Sequence, residues 1–456
     1  MTTVEDELRA ALRAQAQALR VPERPALARD VVNLHRRPGP RWLVAAACLA
    51  LVVAGVVALV ERRGGGPEPA PPVASVVPDT TVPVTNGWVA FDSDQSGGGD
   101  IYLVRPGEDA RRLEVPGSDT ADEACPAWSP DGTRLLFGRV TGSSDTTFRD
   151  AELVIVPVGL DGAAGAPTVI ALDGFDVLDG FDAHPCGIWA PDGRWVAFGG
   201  SGEVWVVDTH TGAIRRLPDL RPIDLEWRPG SDELAIAGDM GATDWVSTPV
   251  TVYSVSTGEL HQLGSVEAGH LTWSPDGSTL AYDGSDRAHD ATSSRDREDS
   301  PAGLWLVDAD GANERLLVAD LGDVIHGIGP VWSPTGDRIA YQRLVRDCDW
   351  PCGERHEVVL VSVADGNEAV IEPPETDGPN GPMSWYPYSV TWSPDGTTLL
   401  YTAWSQAPGE TELPNGVIAV PADTPSDVTV LTDADPVPNY TDHQWVRIQM
   451  WGRQPG

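Results

Sequence analysis

The chain has 456 residues, and its 68 acidic side chains against 31 basic ones give a formal net charge of −37 at pH 7. Every basic residue is an arginine, because the sequence contains no lysine. This composition excludes a Walker lysine, a Schiff-base lysine and a Ser/Lys dyad. Residues 64–456 alone hold 21 arginines and 62 acids, a formal charge of −41. A domain this acidic is a poor partner for nucleic acid or anionic lipid.

Residues 1–41 read as a helical tail. The stretches "TVEDELRAALRAQAQALR" from Thr3 and "PALARDVVNLHRR" from Pro25 place apolar residues near helical spacing. Thr3 and Asp6 suit a capping box, and Pro25 suits the first position of a helix. We therefore predict two short amphipathic helices in this tail.

Residues 42–60, "WLVAAACLALVVAGVVALV", contain no charge and are predicted to form a single transmembrane helix. More arginines precede this stretch than follow it, which predicts a cytoplasmic N-terminus and an extracytoplasmic remainder. They are Arg24, Arg29, Arg36, Arg37 and Arg41 before it, and Arg62 and Arg63 after it. A cleaved signal peptide is the alternative, but the n-region would be long and no small-x-small site follows. Residues 61–86, rich in Pro and Gly, are predicted to be an extended linker.

A short module recurs through the rest of the chain. "TWSPDG" occurs at Thr272 and again at Thr391. Near copies are "AWSPDG" from Ala127, "IWAPDG" from Ile188, "EWRPGS" from Glu226 and "VWSPTG" from Val331. Pro presets the turn, Asp accepts local backbone hydrogen bonds and Gly takes the left-handed position, so each copy predicts a hairpin. Strand-like runs around each turn complete four antiparallel strands per repeat, which is typical of a propeller blade.

These residues resemble the TolB-like, WD-repeat-like bacterial β-propeller repeat, whose mark is W-S-P-D-G, then L-A-F/Y, then a strand of the D-I-Y-x-V type. The resemblance covers about Trp88 to Trp451 and implies an all-β propeller. Because the repeat occurs in binding proteins, in propellers fused to peptidases and in a few lyases, it implies a fold more than a function.

The ends of the repeat region predict how the ring closes. The stretch "GWVAFDSDQSGGGDIYLVRPGEDARRLEV" from Gly87 reads as strands two to four of a blade without strand one. The stretch "TDHQWVRIQMW" from Thr441 reads as one extra strand without a turn. Together they predict a seven-bladed β-propeller over residues 87–456, closed by its N- and C-terminal strands. The alternative is six blades with the terminal strand as a cap.

Four of the five cysteines lie outside the predicted membrane helix, which contains Cys48. An even number in an oxidising compartment predicts disulfides. Cys348 and Cys352 can close a small loop. Cys125 and Cys186 each lie three residues before a repeat Trp, so we expect them at equivalent places in neighbouring blades and able to pair. Zinc is the alternative, although no Cys-x-x-Cys spacing occurs.

The position three residues before each repeat Trp also predicts a binding face. It holds Cys125, Cys186, Asp224, His270, Gly329, Ser389 and Asp442, with His184, His326 and His443 close by in sequence. First strands are innermost in a propeller, so these residues are expected at one mouth of the central channel, beside the long loops between second and third strands. The predicted ligand-binding residues are Asp224, His270, Asp442, His184, His326 and His443.

Nothing in the sequence indicates catalysis. No Gly-x-Ser-x-Gly elbow occurs and no hydrolase domain follows the propeller. We therefore predict that the chain is not an enzyme, has no cofactor and acts as a binding or scaffold module, with a sensory or regulatory role, for a protein or cell-envelope ligand. The alternative, implied by the resemblance, is a lyase-type enzyme whose channel histidines hold a metal. The unequal offsets of the histidines from the repeat Trp count against it.

Overall fold

The computed structural model describes residues 86–93, 99–141, 150–175, 184–200, 202–218, 220–239, 248–285, 302–321, 329–346, 354–371, 377–378, 381–382, 384–406, 415–434 and 451–453. The predicted tail (1–41), membrane helix (42–60) and nearly all of the linker (61–86) lie outside these ranges. The chain divides into two units, Met1–Val73 and Ala74–Gly456, and every described residue belongs to the second. Within the described ranges, no helix has the length and hydrophobicity to cross a membrane.

The described residues form seven four-stranded antiparallel sheets, each of which is one blade. Blade 1 contains β1 (Asn86–Ser93), β2 (Asp100–Val104) and β3 (Arg111–Arg112), and a 3-10 turn at Ser118–Thr120 follows it. Blades 2 to 4 contain β4 (Ala121–Trp128), β5 (Arg134–Thr141), β6 (Asp150–Pro157), β7 (Thr168–Ala171), β8 (Ile188–Trp189), β9 (Trp195–Gly200), β10 (Glu203–Asp208), β11 (Ile214–Leu217), β12 (Arg221–Trp227), β13 (Glu233–Asp239), β14 (Thr248–Ser254) and β15 (Leu260–Ala268).

The remaining strands complete the ring. Blades 5 and 6 contain β16 (Leu271–Trp273), β17 (Thr279–Ser285), β18 (Ala302–Asp308), β19 (Arg315–Val318), β20 (Val331–Trp332), β21 (Arg338–Arg346), β22 (Glu354–Ser362) and β23 (Glu368–Ile371). A short ribbon of β24 (Asp377–Gly378) and β25 (Gly381–Pro382) precedes blade 7, which contains β26 (Ser384–Trp392), β27 (Thr398–Gln406), β28 (Asn415–Pro421) and β29 (Thr429–Ala434). The last described strand is β30 (Trp451–Arg453).

The C-terminal strand closes the ring as the sequence predicts. β30 pairs antiparallel with β1, with Val89 opposite Trp451, and supplies the strand that blade 1 lacks. Seven apolar clusters lie between successive blades, and one of them packs Val89 and Phe91 of blade 1 against Leu400 of blade 7. The prediction of an all-β, seven-bladed propeller is confirmed, and the six-bladed alternative is wrong.

The turns of the repeated module have the predicted geometry. Their glycines are left-handed, with φ of +69° at Gly132 and +68° at Gly277. In the turn of blade 5, Ser274 and Ser278 donate hydrogen bonds to Asp276, and these bonds hold the pKa of Asp276 below its ordinary value. The turns therefore stabilise themselves through local contacts, as their residue types require.

The repeat tryptophans join neighbouring blades. Each is at most 8% exposed. In three of them the indole Nε1 donates to the carbonyl of the residue just before the preceding repeat Trp. These bonds run from Trp189 to Ala127 (3.0 Å), from Trp227 to Ile188 (3.2 Å) and from Trp392 to Val331 (3.2 Å). The tryptophan that recurs in each repeat is thus the anchor residue that connects one blade to the next.

Candidate functional site

The inner ends of the first strands, at the opposite end from the repeated turns, hold the predicted site. The first strands β4, β8, β12, β16, β20 and β26 contact one another in succession, so they line the centre of the ring. Each ends at the repeat Trp that leads into the turn. Of the predicted residues that the structure describes, Cys125 and Asp224 lie within β4 and β12, whereas His184 and Cys186 precede β8 and His270 precedes β16.

Cys125 and Cys186 form a disulfide between blades 2 and 3, with their Cα atoms 5.1 Å apart. Both are buried, at 1% and 6% exposure. Cys125 has a φ of +61° and lies in a bulge of β4 between Ala124 and Ala127. The bulge turns this residue toward the next blade, which local sequence does not reveal. Cys348 and Cys352 lie outside the described residues, and their pairing stays a prediction.

We expect Cys125 and Cys186 to resist alkylation when the protein is unfolded without a reductant, and to react after reduction. Mass spectrometry of the tryptic peptides measures this directly. As a control, Cys125→Ala should make Cys186 reactive without reduction, because its partner is gone. Full labelling of both cysteines in the unreduced wild-type protein would contradict the pairing.

Asp224 is buried rather than exposed at the channel mouth. Asp224 is the fourth residue of β12, and it is only 3% exposed. Oδ1 accepts a hydrogen bond from the backbone N–H of Leu225, and Oδ2 accepts one from Leu271 in blade 5, each at 2.9 Å. Oδ1 therefore bonds backbone within blade 4 and Oδ2 ties blade 4 to blade 5, which is a structural role.

His270 is paired with an acid that the sequence-based site did not include. Its Nδ1 lies 2.7 Å from Oδ2 of Asp283, and the two side chains are 12% and 6% exposed. Asp283 Oδ1 accepts hydrogen bonds from the backbone N–H groups of Gly269 and His270. An ionised Asp283 places the imidazole proton on Nδ1 and makes Nε2 the acceptor of the neutral ring. The pair is an oriented polar group at the start of blade 5.

The sequence contained a signal for Asp283. Leu271 pairs with Tyr282 in the hairpin of β16 and β17, so the next residues outward, His270 and Asp283, face each other. Counting back from the "SPDG" turn gives this register once the hairpin is assumed. The alignment of repeats on Trp considered first strands alone and for that reason missed the second-strand partner.

Of the other four predicted ligand residues, only His184 lies within the described ranges. His184 is described and half-buried, and its carbonyl accepts a hydrogen bond from the N–H of Cys186. Asp442, His326 and His443 lie outside the described residues. Val89 pairs with Trp451 in the way that Val196 pairs with Trp189, so Trp451, and not Trp445, holds the repeat-Trp position in blade 1. Asp442 therefore does not share the alignment of Asp224 and His270.

A buried charge pair near the inner end of blade 2 was also missed. Arg139 donates from Nε and Nη2 to Oε1 of Glu123, at 2.9 and 2.7 Å, and Ser118 donates to the same oxygen at 2.8 Å. The Glu123 side chain is fully buried, and this burial raises its pKa despite the donors. The backbone N–H of Glu123 donates to Gly99 of blade 1, so the pair lies where two blades meet.

Within the described ranges, no group of three His, Cys, Asp or Glu residues could hold a metal ion. The lyase-type alternative needs such a set. His270 and Asp283 supply two candidate ligands. Oδ1 of Asp283 already accepts hydrogen bonds from backbone N–H groups. His326 and His443 fall outside the described residues.

Comparison with solved structures found several similar chains. A TolB-like protein from Agrobacterium tumefaciens matches with 17% identity and a TM-score of 0.38, over 59% of this chain and 88% of that one. A protein from Lactobacillus plantarum matches with 15% identity and a TM-score of 0.46, over 78% and 98%. The structural neighbours include TolB-like propellers. No protein-family model matches the sequence, and no curated protein matches it either.

The same comparison corrects one prediction. Puromycin-hydrolysing enzymes are also structural neighbours, one of them with 17% identity and a TM-score of 0.42 over 73% of this chain. The chain spans 54% of that hydrolase's length. The prediction that this chain is not an enzyme is corrected by this finding: enzymes are among the structural neighbours, so the propeller fold gives no ground for excluding catalysis.

Proposed function

We propose that the propeller is an extracytoplasmic binding module that takes a protein or cell-envelope ligand at the inner ends of its first strands. The observation that carries this proposal is the pair of His270 and Asp283. A carboxylate 2.7 Å away orients an imidazole that remains 12% exposed at the edge of the channel. An oriented imidazole is a directional hydrogen-bonding group, which suits recognition of a polar ligand.

The negative charge of the domain favours ligands that are cationic or neutral over ligands that are anionic. With a formal charge of −41 over residues 64–456, the surface attracts cationic and neutral polar groups and repels anions. The ligand on this proposal is a basic or polar segment of a protein, or a neutral envelope component.

Anchoring in the membrane forms the second part of the proposal. Its support is the uncharged stretch 42–60, with five arginines within residues 22–41 and two directly after the stretch. The linker 61–86 then holds the propeller outside the cytoplasm, where the cysteine pairs are compatible with oxidation.

The test compares ligand capture by the full chain in its native envelope. His270→Ala should reduce recovery of the co-purifying ligand by about tenfold, because the ligand loses one hydrogen bond to the imidazole that Asp283 orients. His261→Ala is the matched control, since His261 is exposed on the outer strand β15. Equal recovery with the two variants, at unchanged melting temperature, would contradict the proposal.

A further inference from the structure

The junction of blades 1 and 2 buries a carboxyl oxygen that no donor reaches. Glu123 of β4 is 1% exposed. The hydrogen bonds that the structure describes at its side chain, two from Arg139 and one from Ser118, all end at Oε1. Oε2 is buried and has no hydrogen-bond partner among the described residues. A buried oxygen without a donor is far more destabilising when the group is charged than when it is neutral.

Asp208 in blade 3 shows the arrangement that an ionised carboxylate requires. Arg194 donates from Nε and Nη2 to Oδ2 of Asp208, at 3.1 and 2.6 Å, which is the same fork that reaches Glu123. The other oxygen, Oδ1, accepts the backbone N–H groups of His210 and Thr211. Although burial acts to raise it, these donors hold the pKa of Asp208 below its ordinary value. The two sites therefore differ at the second oxygen, which has donors in Asp208 and none in Glu123.

The charges around Glu123 are mostly negative. At this end of the blades, away from the repeated turns, the charged residues on β4 and on the elements around it are Asp92 on β1, Asp100 on β2, Arg112 on β3, Asp119 in the 3-10 turn, Asp122 on β4, Arg139 on β5, and Asp150 and Glu152 on β6. On the other side, β8 contains no titratable residue. Both arginines are shared between acids, because Arg112 donates to Asp100 and Asp119. Arg139 likewise lies 4.0 Å from Oε2 of Glu152.

The side chain of Glu123 is enclosed by a contact between two blades. The backbone N–H of Glu123 donates to the carbonyl of Gly99 in blade 1 at 2.7 Å. The approach is so close that a Cβ on Gly99 would lie 2.9 Å from the Glu123 carbonyl oxygen. Burial raises the pKa of Glu123 although the bonds from Arg139 and Ser118 oppose it, and the charge of Asp100 adds to the rise. Because the side chain is fully buried, water can reach Oε2 only when this packing opens.

We infer that Glu123 holds a proton on Oε2 in the folded propeller, and that loss of this proton to solvent loosens the junction of blades 1 and 2. The neutral carboxyl group still accepts from Arg139 and Ser118 at Oε1, while Arg139 keeps Glu152 as a counter-ion. The ionised form needs donors at Oε2 and gains them from water when the two blades separate locally. This inference is independent of the ligand that the propeller binds.

The stability of the full chain relative to Glu123→Gln, measured by chemical denaturation from pH 4.5 to about 8, tests the inference. Glutamine has the shape of the protonated carboxyl group and does not titrate. A pKa that folding raises adds stability at low pH, and this stability is lost as the pH rises above the ordinary value of 4.5. The unfolding constant of the wild type should therefore rise several-fold relative to that of Glu123→Gln, by at most about tenfold per pH unit.

Asp208→Asn is the matched control, because folding lowers the pKa of Asp208. Its stabilising effect is complete above the ordinary value of 3.8 and is lost only as the pH falls further. Asp208→Asn should therefore be less stable than the wild type by a constant factor over the range of the test. The inference is overturned if Glu123→Gln behaves in this way. It is also overturned if the wild type gains stability relative to Glu123→Gln as the pH rises, which an ionised Glu123 paired with Arg139 would produce.

Hydrogen exchange of the wild type gives a second measurement that needs no variant. The protection factor of the Glu123 N–H, which donates to Gly99 across the junction, should fall several-fold over the same pH range. The N–H of Asp208, which donates to Ala213 within blade 3, should keep its protection factor. A constant protection factor at Glu123 would overturn the inference.

Discussion

Replacing Trp273 by alanine should lower the free energy of unfolding by about 3 to 5 kcal/mol, the range for removal of a large aromatic side chain from a core. Trp273 is 3% exposed and belongs to the cluster between blades 4 and 5, where it packs with Leu271, Leu280 and Val307. The cavity would open between two blades whose strands cannot move closer without breaking the ring. Chemical denaturation followed by circular dichroism measures the change.

Three further substitutions separate the contribution of burial from that of the indole hydrogen bond. Trp195→Ala should cost far less, about 1 kcal/mol, because Trp195 is half-buried and packs at the edge of its cluster. Trp227→Phe should cost about 1 kcal/mol more than Trp273→Phe, since Trp227 donates to Ile188 while the Trp273 indole nitrogen has no hydrogen-bond partner among the described residues. A loss for Trp273→Ala no larger than that for Trp195→Ala would show that the repeat Trp is not the anchor.

Truncation before Trp451 should open the ring and cost about 2 to 4 kcal/mol, from the lost ladder hydrogen bonds and the apolar surface exposed beside them. β30 supplies the strand that blade 1 lacks, and without it β1 has a free edge next to the channel. Free edges pair with other chains, so we also expect oligomers at concentrations where the wild type is monomeric. Denaturation and size-exclusion chromatography give the two readouts.

Deletion of residues 454–456 alone is the control for this truncation. These residues follow β30, so their loss leaves the pairing of Val89 with Trp451 in place. The shorter deletion should keep both the stability and the oligomeric state of the wild type. If the two deletions behave alike, closure by β30 contributes little to the propeller.

The candidate site was predictable only in part. The position of His270 beside β16 followed from its distance to Trp273, the last residue of that strand. Its partner Asp283 follows from hairpin register and was within reach of the sequence. The role of Asp224 was not, because its bond to Leu271 joins two blades 47 residues apart in sequence. Glu123 and Arg139 face each other in the register of β4 and β5, whereas the hydrogen bond from Glu123 to Gly99 joins two blades and depends on the tertiary structure.

The sequence by itself determined the blades, since "WSPDG" contains the chemistry of its own turn and the apolar runs beside it have the period of a strand. It also determined that the last strand completes the first blade, because one end lacked a strand and the other had one to spare. The tertiary structure decided what each polar residue does. The carboxylate of Asp224 accepts backbone N–H groups, one of them from the next blade, and so has a structural role. The carboxylate of Asp283 instead orients the imidazole of His270. It also decided that Trp451, and not Trp445, takes the register position of the repeat Trp, because pairing between the two ends of the chain is set by ring closure and not by local pattern.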